Sequence, residues 1–154
     1  MRMILPAVLL AAFAACTNGT TGPLDRAKDE ERIRARYASM DSLFAADRMG
    51  DIAKVYHDSA AVLSVGRVIN GRGSIRTYWD MLQGNGVSWD HRIEALHVAT
   101  QRAIQYGTSE LHYRNGQDTL ISFVHYTLIW RKDAQGEWWI ERDHYTPMPR
   151  VVVE

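Results

Sequence analysis

The sequence predicts an α+β domain in which helices pack on one face of a strongly curled antiparallel sheet. Helix-periodic segments come first along the chain and strand-like segments follow, which is the order of an α+β fold. The later segments are about a dozen residues long, and strands of that length curl because each carries the usual twist. The chain has 154 residues, which is room for one domain. A curled sheet closed by helices encloses a concave interior.

The start of the chain is predicted to be an export signal of the lipoprotein type. Arg2 supplies a positive charge, residues 4–13 form an apolar run too short to span a membrane, and small residues 14–15 precede Cys16, the only cysteine. The segment resembles the lipobox of bacterial lipoproteins, in which the thiol is lipidated, although Phe13 stands where an aliphatic residue is commoner. A plain cleaved signal is the alternative. We expect an exported protein that is lipid-anchored at the cell envelope, on its periplasmic or outer face, or is otherwise secreted.

The remaining chain divides into a tether, a domain and a tail. Residues 1–16 form the signal, residues 17–25 are rich in Thr, Gly and Asn and form a tether, residues 26–147 form the domain, and residues 148–154 form a tail. The 18 basic and 18 acidic residues balance, so the clustered positive charge that nucleic-acid binding requires is not expected.

Three helices are predicted ahead of the long strands. Residues 26–48 form the first, because apolar side chains recur every three to four positions. Gly50 is expected to end it, and Asp51 to cap a short second helix that runs toward residue 56. A third helix covers residues 74–82. The apolar positions of the two longer helices are Ile33, Tyr37, Met40, Phe44, Ile75, Tyr78, Trp79 and Leu82.

The strands are predicted from β-favouring runs bounded by turn residues. A short pair flanks the turn at Gly66, and two hairpin turns, at Asn115–Gly116 and at residues 133–136, join longer strands. The predicted strands cover residues 61–65, 68–69, 89–99, 103–113, 119–132 and 137–145.

Several short motifs, in order, resemble the SnoaL-like branch of the nuclear transport factor two-like superfamily, which also holds ketosteroid isomerase and scytalone dehydratase. The motifs are Gly50-Asp51, Tyr56, Asp58, Ala60, Asn70-Gly71-Arg72-Gly73-Ser74-Ile75, Tyr78-Trp79, Trp130-Arg131-Lys132, Gly136-Glu137-Trp138 and Arg142-Asp143-His144-Tyr145-Thr146. The resemblance implies a cone-shaped sheet whose concave face is covered by a long N-terminal helix and two shorter helices. It also implies a deep pocket and a homodimer formed through the outer sheet face. It implies no reaction, because this fold hosts many activities.

The last hairpin provides the predicted catalytic candidates. If Lys132 faces Glu137 across the turn, Thr127 pairs with Arg142 and His125 pairs with His144, so all four lie on one face. In the resembling family, the face that bears Trp138 and Ile140 and continues to Arg142 and His144 turns into the cone. Arg142 would bind an anionic or carbonyl group there, and His144 would shuttle a proton. A register shift of one residue would overturn this grouping.

Other candidates have structural alternatives. Further predicted pocket residues are Tyr37, Tyr56, Trp79, Thr127, Trp138 and Ile140, for several of which core packing is the competing interpretation. His144 could instead hydrogen-bond the first helix, and Arg142 could pair with a carboxylate such as Asp58. The catalytic base of ketosteroid isomerase would fall on or beside Leu63, so that activity is not expected. The histidines lie apart on different predicted strands, and we expect no metal and no cofactor.

Three functions remain open on the sequence. The favoured one is an envelope-tethered pocket protein that binds a small, partly apolar molecule. The second is a cyclase, dehydratase or isomerase that uses His144 with Arg142 or His125. The third is a dimeric structural or docking module whose cone is filled by Trp138 and Trp139. In each case the membrane is reached only through the lipid.

Overall fold

The structure, a computed structural model, describes residues 25–148 and confirms the predicted fold class. The elements are α1 (Arg26–Ala45), a 3₁₀ helix (Met49–Val55), β1 (Tyr56–Ser64), β2 (Arg67–Asn70), α2 (Arg72–Asp80), β3 (Gly86–Val98), β4 (Arg102–Asn115), β5 (Asp118–Lys132) and β6 (Trp138–Pro147). The predicted signal with Cys16 and nearly all of the predicted tether and tail lie outside the described residues. No helix among those described is long and apolar enough to cross a membrane.

Helix α1 buries the apolar stripe that its periodicity predicts. The Asp25 side chain caps it by accepting the Lys28 N–H at 3.2 Å. The helix ends at Ala45, earlier than predicted, and the chain turns at Asp47, whose φ of 52° lies in the left-handed region. Gly50 therefore does not end this helix. Its role is a close approach, because a Cβ there would lie 2.0 Å from the Asp80 Oδ1 atom of α2.

Six strands form one mixed sheet in the order β2-β1-β6-β5-β4-β3. All neighbouring strands are antiparallel except β1 and β6, which run parallel. The prediction of a wholly antiparallel sheet is therefore wrong for this one pair. Strand β1 also begins at Tyr56, ahead of the predicted start at residue 61. Parallel pairing requires a crossover connection, and the long path from β1 through α2 and β3–β5 supplies it.

The sheet curls where β3 and β4 meet. A bulge in β3 between Ile93 and Ala95 lies opposite Gly107, and bulges increase local twist. Gly107 has no room for a side chain, because a Cβ would lie 1.9 Å from the Arg92 carbonyl oxygen. The curl turns one sheet face into the concave surface on which the helices pack.

One buried carboxylate joins α1 to the sheet. Asp29 is 2% exposed, and it accepts hydrogen bonds from Lys132 Nζ at 2.8 Å and from Trp138 Nε1 at 3.0 Å. Burial alone would raise the pKa of Asp29, but these two donors and the charges of Lys132 and Arg32 outweigh it and lower that pKa. Asp29 is thus an ionised anchor between the first helix and the end of the last hairpin.

Candidate active site in the concave face

A narrow cavity lies between the helices and the inner face of the sheet. Its volume is about 80 Å³, and aromatic rings make up much of its wall. Polar groups are few and come from tyrosine and serine hydroxyls and from Asp143. The aromatic lining residues are Tyr37, Tyr56, Tyr78, Trp79, Trp89, Tyr126 and Tyr145. We call this space the inner cavity.

Asp143 is the only carboxylate among the described residues that line the inner cavity, and no Lys, Arg or His lines it there. Strand β6 places it opposite Leu128 of β5 and beside Val62 of β1, both of which also line the wall. The Tyr56 hydroxyl donates a hydrogen bond of 2.6 Å to Asp143 Oδ2. Asp143 is therefore the acidic group of the cavity, and the neutral Tyr56 hydroxyl is the donor that hydrogen-bonds to it.

This environment disfavours the charged form of Asp143. Burial raises the pKa of Asp143 from 3.8 to about 6, while the Tyr56 hydrogen bond and the charge of His144 act in the opposite direction. Asp143 is half-buried as a residue, and it lines the inner cavity. A carboxyl with such a pKa can both accept and return a proton near neutral pH.

Tyr56 is held so that its hydroxyl stays protonated and points to Asp143. The residue is 1% exposed, and its backbone carbonyl accepts Arg72 Nε at 2.7 Å. Burial first, and then the charge of Asp143 and the hydrogen bond to it, raise the pKa of Tyr56 well above 10. The Trp79 indole N–H approaches this hydroxyl and partly offsets the rise, yet it has no partner of hydrogen-bonding geometry among the described residues. The Trp79 indole nitrogen is thus a buried donor beside the Tyr56 hydroxyl.

Other tyrosine hydroxyls of the wall also take part in hydrogen bonds. The Tyr126 hydroxyl accepts Gln105 Nε2 at 3.2 Å and donates to the Arg92 carbonyl at 3.4 Å. Burial, and next the hydrogen bond with Tyr145, raise the pKa of Tyr78. These hydroxyls remain neutral donors, and so leave Asp143 as the site of charge.

The predicted register of the last hairpin is wrong. Lys132 pairs with Trp138 rather than Glu137, and Trp130 pairs with Ile140. Next, Ile129 pairs with Arg142, so Glu141 is an extra residue in β6. This bulge is held by an ion pair of 2.7 Å between Glu141 and Arg102. A bulge of one residue reverses the faces of the residues beyond it.

The bulge explains where the predicted catalytic residues lie. Arg142 and His144 are exposed on the outer face, where His144 pairs with Thr127 and His125 pairs with Thr146. The predicted placement of Arg142, His144, His125 and Thr127 in the cone is therefore wrong. Arg142 Nη1 donates instead to the Glu141 and Ser59 carbonyls, at 2.7 and 3.5 Å.

The ion pair with Asp58 that the sequence suggested for Arg142 is also not found. Asp58 is exposed and pairs with Arg72 at 3.0 Å rather than with Arg142.

Trp138 and Ile140 are buried in the core and do not line the inner cavity. Tyr37, Tyr56 and Trp79 do lie on its wall.

The sequence reasoning missed Asp143. An unbroken strand alternates faces, so placing Arg142 and His144 inward puts Asp143 outward. The sequence pointed to Asp143 only through its position between Arg142 and His144, in a strand whose pairing register the sequence does not determine. Within residues 25–148, no three His, Cys, Asp or Glu side chains converge as a metal site requires.

Comparisons with known proteins show the fold and nothing finer. No protein-family model and no curated protein matches the sequence. A conserved protein from Planctomyces limnophilus is similar in structure with a TM-score of 0.71 and 18% identity, over 81% of this chain and 100% of that one. A ketosteroid isomerase-like protein from Erwinia carotovora atroseptica has a TM-score of 0.67 and 14% identity, over 78% and 96%. A nuclear transport factor 2-like protein from Salmonella enterica has a TM-score of 0.67 and 13% identity, over 82% and 96%.

Proposed function

We propose, for a chain that has the nuclear transport factor two-like fold, that the inner cavity binds a small, largely apolar molecule with a carbonyl or hydroxyl group. In this proposal Asp143 exchanges a proton with the bound molecule, as in isomerases, dehydratases and cyclases. The observation that carries the proposal is a lone carboxylate, Asp143, paired at 2.6 Å with the neutral Tyr56 hydroxyl in an aromatic cavity.

The chemistry follows from the surroundings of Asp143. Above a pKa of about 6 the carboxylate is mostly ionised, and it can accept a proton from a carbon next to a carbonyl. The carbonyl oxygen then gains negative charge, which neutral hydroxyls of the cavity wall, such as those of Tyr78 and Tyr145, would stabilise by donating hydrogen bonds. Aromatic walls exclude water and strengthen both interactions. The protonated Asp143 can return the proton at a second position of the same molecule.

Asp143 differs in position from the catalytic base of ketosteroid isomerase. The resemblance puts the place of the ketosteroid isomerase base on or beside Leu63 of β1, whereas Asp143 lies on the neighbouring strand, opposite Val62. The similar protein from Erwinia is named ketosteroid isomerase-like, which accords with proton-transfer chemistry in such a cavity without naming a substrate.

Hydrogen–deuterium exchange tests the proposal. The full chain is incubated in D₂O at pH 7 with a panel of cyclic ketones such as cyclohexanone and 2-tetralone, and loss of the α-proton signal is followed by NMR. We expect exchange that Asp143→Asn slows and that Asp90→Asn, an exposed carboxylate on β3, leaves unchanged. Equal rates in both variants would overturn the acid–base role. Binding without exchange would favour the non-catalytic pocket protein.

The cellular setting remains a proposal from the leader sequence. We propose lipidation at Cys16, supported by the apolar run and small residues that precede it. Mass spectrometry of protein extracted from the host envelope would show a lipid mass on Cys16, and Cys16→Ser would release the protein from the membrane. An unmodified Cys16 in mature protein contradicts this.

A homodimer through the outer sheet face is proposed as well. The half-exposed apolar side chains of Ile104 and Tyr106 on β4 support it, at 47% and 40% exposure. Light scattering should give twice the chain mass for the parent, and the monomer mass for an Ile104→Lys variant.

A further inference from the structure

A second space, which we call the outer vestibule, adjoins the inner cavity. It has a volume of about 440 Å³ and is bounded by β2, by α2 and the turn that follows it, and by parts of β4, β5 and β6. Four residues line both spaces, namely Tyr78, Leu111, Ser122 and Tyr145. The outer vestibule and the inner cavity therefore share part of their walls.

The charge of the outer vestibule is one-sided. Arg67 and Arg114 line it, and none of its described lining residues is acidic. Neither guanidinium forms an ion pair within residues 25–148. Arg67 lies over the Tyr78 ring, with its Cζ atom 5.9 Å from the ring centroid. A guanidinium is thus placed beside a ring that also forms the wall of the inner cavity.

The two spaces have opposite chemistry. The inner cavity offers aromatic walls and a carboxylate, whereas the outer vestibule is lined by two arginine residues and by no acidic residue among those that the structure describes. Asp143 lies opposite Val62 of β1, and Arg67 lies opposite Ser64 of the same strand, on its other side. Two strand spacings and two residues along the strand separate their Cα atoms by roughly 12 Å. That span fits one or two rings with a short side chain.

We propose that the site takes an amphipathic organic anion: its ring bears the carbonyl or hydroxyl group and enters the inner cavity, while its carboxylate stays at Arg67 and Arg114. The inference rests on the proposed function for the position of the ring, and adds the chemical class of the ligand. Arginine suits this role because its planar guanidinium matches a carboxylate and is always charged. The anion is kept outside, where it does not meet the ionised Asp143.

A matched pair of probes separates the two parts of the proposal. 3-(4-Hydroxyphenyl)propionate carries the anion, and 3-(4-hydroxyphenyl)propionamide has nearly the same shape without charge. Binding of each to the full chain is measured at pH 7.5 by calorimetry at low ionic strength. We expect the acid to bind about five- to tenfold more tightly than the amide, since two partly exposed ion pairs contribute modestly. Salt at 0.5 M should reduce that ratio.

Variants assign the preference to the vestibule. In the double variant Arg67→Gln/Arg114→Gln, the acid-to-amide ratio should fall to near one while binding of the amide is unchanged. Arg34→Gln removes an exposed guanidinium from α1 and should leave the ratio as it is. Equal binding of acid and amide to the parent protein would overturn the inference and leave the proposed function standing. A ratio that Arg34→Gln lowers as much would also overturn it. Failure of both probes to bind would overturn the inference, while the exchange experiment with cyclic ketones decides the proposed function separately.

Discussion

Two aspartates of this molecule, Asp29 and Asp143, are removed from bulk water, and their pKa values move in opposite directions. Asp29 lies between α1 and the last hairpin with an ammonium and an indole N–H as donors, and its pKa is lowered. Asp143 lies in the inner cavity with a single neutral donor, Tyr56, and its pKa is raised to about 6.

The difference shows that partners, rather than burial alone, decide the role of a buried acid. Burial is the largest effect on the pKa of both groups and raises it in both. Lys132 and Trp138 reverse the effect at Asp29, so that carboxylate stabilises the fold. No donor or cation near Asp143 lowers its pKa as strongly. Asp143 therefore keeps a raised pKa, and its ionised form destabilises the fold but readily takes up a proton.

Replacing each of the two aspartates by asparagine should give the largest difference between them, which is in the rate of α-proton exchange. Asp143→Asn removes the proposed base, and the rate of α-proton exchange with a bound ketone should fall by roughly 10²–10⁴-fold. Asp29→Asn should leave the rate per folded molecule within about twofold, as judged by the same NMR experiment. A comparable loss in both variants would remove the contrast between them.

Loss of the Asp29 anchor should be the largest effect on stability. Asp29→Ala leaves Lys132 Nζ and Trp138 Nε1 without their acceptor, and we expect the free energy of unfolding to fall by about 3 kcal/mol at pH 7. Urea unfolding followed by tryptophan fluorescence measures this. Glu31→Ala, at an exposed position of the same helix, should change stability by less than about 0.5 kcal/mol. Equal effects of the two substitutions would show that the buried contacts of Asp29 contribute nothing specific.

Asp143→Asn should change the free energy of unfolding in the opposite direction, by raising it. The folded-state pKa of Asp143 is raised from 3.8 to about 6, so its ionisation destabilises the fold at every pH above that range. The parent protein should lose stability as pH rises from about 4 to 6, and the variant should not. At pH 7 the variant should be more stable by up to about 3 kcal/mol, and below pH 4 the gain should vanish. Urea titrations at several pH values check this, and a destabilised variant at pH 7 would contradict it.

Tyr56→Phe should sharpen the contrast by a smaller amount. The Tyr56 hydroxyl hydrogen-bonds the ionised carboxylate and holds the pKa of Asp143 down, so its removal should raise that pKa further. The midpoint of the pH–rate profile should then move to higher pH. Tyr106→Phe, which removes a hydroxyl from a half-exposed tyrosine outside the inner cavity, should not move it. An unchanged midpoint in Tyr56→Phe would show that the hydrogen bond does not act on the ionised form.

The fold could be predicted because its determinants are local and repeated. The stripe from Ile33 to Phe44 indicates α1 by its spacing, and long β-favouring runs between turn residues indicate β3 to β6. The parallel pairing of β1 with β6 could not be predicted in this way, since it joins segments far apart in sequence.

The site could be predicted only in part, for a reason located at one residue. Tyr37, Tyr56 and Trp79 lie on helices or at a strand start, where spacing indicates which side faces the sheet. The inward residues of β6 depend on the bulge at Glu141, which is held by Arg102 of β4. That contact is tertiary, and no local pattern marks it. One extra residue replaces Arg142 and His144 by Asp143 and Tyr145 on the inner face.

Direct titration of Asp143 tests the central claim. The protein is labelled with ¹³C at the aspartate carboxyl carbons, and the Asp143 signal is assigned by its absence from Asp143→Asn and followed by NMR between pH 3 and 8. A midpoint near 6 for Asp143, together with a midpoint below 3.8 for Asp29, is the predicted result. An Asp143 midpoint at or below about 4 would contradict the account, because such a carboxyl would be an ordinary hydrated acid.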